Sequence, residues 1–118
     1  MRPVHNIEHI DVYRYNISMD RIFKALADIN RRKILTLLKN GEMSVNELLK
    51  NFQITQATLS NHLSVLKKAN LVENRIFGKQ RIYRLNMELL RVFARNIDDF
   101  IGIFDKDVIS EMEIRIRK

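Results

Sequence analysis

The sequence predicts a mainly α-helical fold with a small β-hairpin, arranged as a winged helix-turn-helix: scaffold helices, a recognition helix, a two-stranded wing and a C-terminal dimerisation helix. Three observations carry that prediction. Capping residues mark two helix starts at Ser44 and Thr55, an apolar stripe of helical period follows the second, and strand-forming runs flank Gly78.

The scaffold comes first along the chain. Between Met19 and Asn40, Ile22, Phe23, Leu26 and Ala27 make one apolar face, and Ile34, Leu35, Leu37 and Leu38 make another. Asp28 or Asn30 is placed to cap the second helix, and Asn40-Gly41 to end it, because glycine takes a left-handed terminal position without strain. Arg31, Arg32 and Lys33 fall in the first turn of that helix, where the dipole disfavours cations. Either a phosphate or acidic neighbour compensates them, or they are plain solvated charges.

Ser44 and Glu47 form an S-x-x-E capping box ahead of Leu48, Leu49 and Phe52. A three-residue turn at Gln53, Ile54 and Thr55 then leads into a helix whose Leu59, Leu63 and Leu66 recur on one side. Its other side holds Gln56, Thr58, Ser60, Asn61, Ser64 and Lys67, and no charged residue stands between Thr55 and Ser64. A purely solvated helix more often shows Glu and Lys pairs, whereas small and amide side chains fit a major groove, where they hydrogen-bond base edges or phosphates. Downstream, Leu71 to Leu85 reads as two strands around Gly78, with a cationic tip at Gly78-Lys79-Gln80-Arg81. Arg75, Lys79, Arg81 and Arg84 are placed to attract phosphates irrespective of sequence.

Asn86 is placed to cap a last helix, from Met87 to Phe104, with Leu89, Leu90, Phe93, Ile97, Phe100, Ile101 and Phe104 as a broad stripe. Exposed, such a stripe invites aggregation, so it is read as a two-fold dimer interface, with a core-only role as the alternative. Ser110 to Lys118 alternates with period two, and Ile10 to Ile17 is rich in strand formers; the termini are expected to pair as a β-ribbon, with helix continuation or disorder as alternatives for the tail. The chain thus divides into an N-terminal extension or arm at 1–17, a DNA-binding core at 18–86, and a dimerisation helix and tail at 87–118.

Composition bounds the function. The chain has 118 residues, enough for one domain with its own core. It has no cysteine, which excludes disulfides and thiolate metal sites and fits a reducing cytoplasm. No long apolar run or signal-peptide pattern stands in it, so a cytoplasmic protein without membrane insertion is expected. The formal net charge is +7. Between Lys67 and Arg95 lie eight basic residues against only Glu73 and Glu88, which concentrates the excess on the hairpin and its flanks and favours a polyanion. No nucleophile, phosphate loop or acid–base constellation suggests an enzyme.

Phe23 to Leu38, Ile54 to Leu63, Leu66 to Val72 and Gly78 to Asn86 together resemble the ArsR/SmtB family of bacterial winged-helix repressors, over roughly residues 19 to 104. The resemblance implies a homodimer in which first and last helices pair, giving Ile22, Phe23, Leu90, Phe93, Ile97, Phe100, Ile101 and Phe104 as interface residues. It also implies double-stranded DNA as partner, and autorepression or control of a neighbouring operon. It places Gln56, Ala57, Thr58, Ser60, Asn61 and His62 on or beside the DNA-facing side, and makes Lys79 and Arg81 wing contacts. His62 is expected at a phosphate or at the edge of the core.

This sequence also departs from the family pattern. Position 29 is Ile where the family usually has Pro, and Asn30 stands where Thr is usual. Many members sense metals through cysteines or through a D-x-H…H-x-x-E arrangement on the last helix; here Asp98 to Met112 has carboxylates but no histidine. The chain resembles instead the cysteine-free members that act without a metal, including autorepressors released by an inducer protein. No cofactor is expected. His5 and His9, spaced i, i+4 near Glu8 and Asp11, are the one arrangement that would suit zinc or nickel, although two histidines near a terminus are more often surface groups. Two rival readings remain: a metal-responsive repressor using His5 and His9, and a winged-helix adaptor that binds an acidic protein or a membrane protein's cytoplasmic loop.

Overall fold

A computed structural model describes residues 19–102, apart from the side chains of residues 99–101. The helices are α1 (Met19–Leu26), α2 (Ile29–Leu38), α3 (Val45–Leu49), α4 (Gln56–Lys68) and α5 (Met87–Ile101); the strands are β1 (Met43–Ser44), β2 (Val72–Phe77) and β3 (Gln80–Leu85). The readings at His5 and His9, in the 1–17 arm, at Phe104 and in the tail, like the side chains of Phe100 and Ile101, lie outside the described residues.

Local chemistry sets the helix boundaries. Asp28, not Asn30, caps α2, accepting from the backbone N–H of Asn30 at 2.8 Å and of Arg31 at 3.2 Å. The cations of the first α2 turn neither await a phosphate nor stand idle in solvent. Arg31 donates to the carbonyls of Ala25 (2.7 Å) and Lys24 (3.0 Å), and Arg32 to that of Leu26 (2.7 Å). They satisfy the last carbonyls of α1, the negative end of its dipole, and so tie α1 to α2. Lys33 reaches the Asn51 carbonyl at 2.6 Å and lies 4.7 Å from the Phe52 ring centroid.

The capping box is complete: the Glu47 N–H donates to Ser44 Oγ at 3.1 Å, and the Ser44 N–H to Glu47 Oε1 at 2.8 Å. The turn that follows is longer than expected, because α3 stops at Leu49 and Lys50 to Thr55 make the connection. Thr55 Oγ1 then caps α4 by accepting from the Thr58 N–H at 3.1 Å. At its far end Asn70 turns left-handed (φ 62°), with its N–H on the Lys67 carbonyl and the Leu71 N–H on that of Leu66. That is a Schellman stop, sealed by burial of both Leu66 and Leu71.

The wing is a hairpin whose turn has Gly78 at φ +63°, a conformation open to glycine at little cost. It is not only two-stranded: β1 adds to the free edge of β3, pairing Met43 with Tyr83 and Ser44 with Ile82, so the antiparallel sheet runs β1-β3-β2. The α4 stripe of Leu59, Leu63 and Leu66 lies at the centre of a core shared with Ile22, Ile34, Leu38, Leu48, Leu71 and Leu89. Ile22, expected at a dimer contact, is only 1% exposed. It packs within its own protomer and offers a partner no surface. The α5 stripe is likewise divided: Leu89 and Val92 are buried, while Leu90, Phe93 and Ile97 are half-buried. Among the described residues no helix is long and apolar enough to cross a membrane.

Candidate nucleic-acid interface

A groove of about 440 Å³ runs between α4 and the wing. Its helical wall is Gln56, Ser60, Ser64 and Lys67, one row along α4. Its opposite wall is Asn74, Lys79, Gln80, Arg81 and Tyr83, and Ser44, Val45 and Asn46 contribute at the start of α3. Lys67 Nζ donates to Asn74 Oδ1 at 3.3 Å and bridges the two walls. Ala57, Thr58 and Asn61 are exposed on α4 but outside the groove lining, on the arc of the helix farther from the wing. The α4 surface is therefore polar and uncharged for most of its length and becomes cationic only toward Lys67 and Lys68.

His62 does not share that surface. It is half-buried against the scaffold, with Nδ1 3.2 Å from Arg31 Nη1 and 3.9 Å from Asp28 Oδ1. A guanidinium has no lone pair to offer, so Nδ1 accepts from Arg31 and the ring proton sits on Nε2. His62 thus anchors α4 to α2. Partial burial alone would raise the Asp28 carboxyl, but the backbone N–H donors of Arg31 and Asn30, with the Arg31 charge nearby, hold it below the usual carboxylate range.

The wing has two distinct faces because side chains alternate along each strand. Asn74 and Arg81 look toward α4. Arg75 and Arg84, expected to meet phosphates, belong to the opposite face, and each is paired with a carboxylate. Arg75 grips Glu42 in a fork (Nη2 to Oε1 2.7 Å, Nε to Oε2 3.3 Å), and Arg84 Nε donates to Glu73 Oε1 at 3.1 Å. The Arg75 hydrogen bond lowers the Glu42 carboxyl, and Glu42 in turn raises Arg75. Among the described residues Lys79 and Arg81 have no such carboxylate partner, so the cationic charge left for a ligand is on the groove side of the tip.

The sequence profile described as "Bacterial regulatory protein, arsR family" matches residues 28–74. The chain is also 36% identical over 90 residues to the transcriptional repressor SdpR of Bacillus subtilis, spanning 76% of this chain and 100% of that protein. The chain belongs to the arsR family. It is 40% identical over 80 residues to an arsenical resistance operon repressor of Staphylococcus xylosus, covering 68% of this chain and 77% of the relative. An ArsR-like transcriptional regulator from Rhodococcus sp. RHA1 shares the fold, with a TM-score of 0.69, 24% identity, and coverage of 92% of this chain and 97% of that one. ArsR-family proteins are DNA-binding transcriptional regulators, not enzymes.

Within this arsR-family chain, sequence reasoning missed Asn74, Tyr83 and Asn46 as groove residues. Asn74 was legible in principle: it stands two residues after Val72 and two before Ile76, so it shares their face of β2. Tyr83 was legible by the same rule, two residues after Arg81 on β3, whereas Asn46 had no such signal, since β1 brings the start of α3 beside β3. Among the described residues no group of three His, Cys, Asp or Glu is placed to hold a metal ion.

Proposed function

We propose that the protein is a homodimeric transcriptional repressor that lays the Gln56–Lys67 face of α4 in a DNA major groove, with the wing beside it on the backbone. The observation that carries this is the groove itself: an uncharged hydrogen-bonding helix face opposite Lys79 and Arg81, with no carboxylate in its lining. Gln56 reads a base; Thr58, Ser60 and Asn61 read bases or phosphates, with Ala57 and Ser64 alongside. Residues 18–86 form the DNA-binding unit and 87–118 the pairing segment.

Pairing runs through α1 and α5. The Phe23 ring packs edge-on against Phe93 (centroids 5.9 Å apart, planes at 67°) yet is 49% exposed, so with half-buried Leu90 and Ile97 it begins an open apolar ridge. A two-fold dimer then presents two α4 helices to an inverted repeat with half-sites about 34 Å apart. Repression is supported by the relatives named as repressors, and action without a metal by the absence of cysteine. The place of action is the cytoplasm.

The test is selection of bound duplexes from random DNA, with the stoichiometry of the complex measured by analytical ultracentrifugation. An enriched inverted repeat bound by two chains supports the proposal; no enrichment over random DNA refutes it.

A further inference from the structure

Beyond the groove, the wing ends in two large apolar side chains that no core contact explains: Ile76 is 63% exposed and Phe77 67% exposed. They stand back to back. Ile76 pairs with Arg81 and shares the α4-facing side with Asn74; Phe77 pairs with Gln80 and shares the outer side with Arg75. The Phe77 ring is braced, because the Arg75 guanidinium lies 5.6 Å from its centroid and is itself held by Glu42.

We propose that this tip is a minor-groove wedge, through which the wing senses how easily the DNA opens. The inference rests on the DNA-binding reading above. Continuity with the groove and the Lys79 and Arg81 charges at the same tip favour DNA as occupant. A β-ribbon carrying side chains on both faces is about 10 Å thick, whereas a B-form minor groove is about 6 Å wide. Entry of the tip therefore widens the groove and bends the duplex, with the Ile76 side chain against one sugar wall and the Phe77 ring against the other. The cost of that deformation depends on the base step: flexible TA and CA steps yield, and stiff A-tracts resist. The wing thus selects sequence at positions where it makes no base-specific hydrogen bond.

The test uses the full-length protein and the Ile76→Thr/Phe77→Thr double variant. Both sites are exposed and threonine suits strands, so the fold is kept, and a thermal melt verifies it. Duplexes enriched by wild type are footprinted with hydroxyl radicals to locate the wing, then rebuilt with a TA step or an A-tract at that place. Wild type should prefer the TA duplex at least about fivefold and the double variant less than about twofold, with selectivity in the α4 half-sites unchanged. Identical ranking by both proteins overturns the wedge. So does loss of binding to phosphatidylglycerol vesicles by the variant with its duplex ranking intact, which would assign the tip to a lipid surface. If wild type enriches no duplex, the DNA reading fails and the wedge with it, which separates the two failures.

Discussion

Asn86 donates from Nδ2 to the carbonyl of Asn70 at 3.0 Å while its Oδ1 accepts the Leu89 N–H at 3.1 Å, so one buried amide closes the end of α4 and opens α5. Its own N–H completes the joint on the Leu71 carbonyl at 3.0 Å. The helix proposed to face DNA and the segment proposed for pairing are thereby held at one fixed point. Asn86→Ala should cost about 2 kcal/mol, combining a lost cap with a carbonyl deprived of its donor. Asn86→Asp should recover only the cap, roughly half of that cost. Urea denaturation of the three proteins checks the order.

Arg31 joins three helices, bonding the α1 carbonyls of Lys24 and Ala25 and the His62 ring on α4. Arg31→Ala should destabilise the protein by about 2 kcal/mol, and Arg31→Lys should rescue little, since one ammonium cannot reproduce a planar fork. Thermal melts of both variants decide this. Equal stability of the Arg31→Lys variant and wild type would show that charge alone suffices.

Acid should weaken the fold through its caps. Bonding from the Ser44 N–H lowers the Glu47 carboxyl, and Asp28 is lowered as well. A carboxylate whose folded value lies below its unfolded one contributes stability that is full above the unfolded value, near 4, and is lost as pH falls through the folded value. Urea midpoints should therefore hold between about pH 6 and 8 and decline below about pH 4.5. Glu47→Gln should flatten part of that decline.

The wing arginines and lysine should separate by face. Lys79→Ala and Arg81→Ala should each weaken binding to all duplexes and reduce the log–log salt slope by about 1. Arg75→Ala and Arg84→Ala, already neutralised by Glu42 and Glu73, should leave that slope nearly unchanged. Affinity titrations at several salt concentrations measure it; equal slopes for all four would refute the two-faced wing.

Much of this architecture was legible because capping is local: Ser44 with Glu47, Thr55, and Asn86 each act within three residues. The leucine stripe of α4 was equally legible, since its period is intrinsic to the helix. What escaped depended on distant partners. Two-residue β1 has no period to detect and exists only because β3, far along the chain, offers an edge. Arg75 reads as a free cation until Glu42, 33 residues earlier, folds beside it. The core edge was one of the two places expected for His62, but its partner Arg31 stands 31 positions earlier and was not legible along the chain, nor was the full burial of Ile22.

The central claim is that the uncharged face of α4 reads bases. Affinities of wild type and Gln56→Ala for the selected duplex and for its single-base variants test it most directly. The account predicts that Gln56→Ala loses discrimination at one position in each half-site, by about 1–3 kcal/mol, with its salt slope unchanged. If Gln56→Ala, and then a Gln56→Ala/Ser60→Ala/Asn61→Ala variant, discriminated among the duplexes as sharply as wild type, the claim would be contradicted.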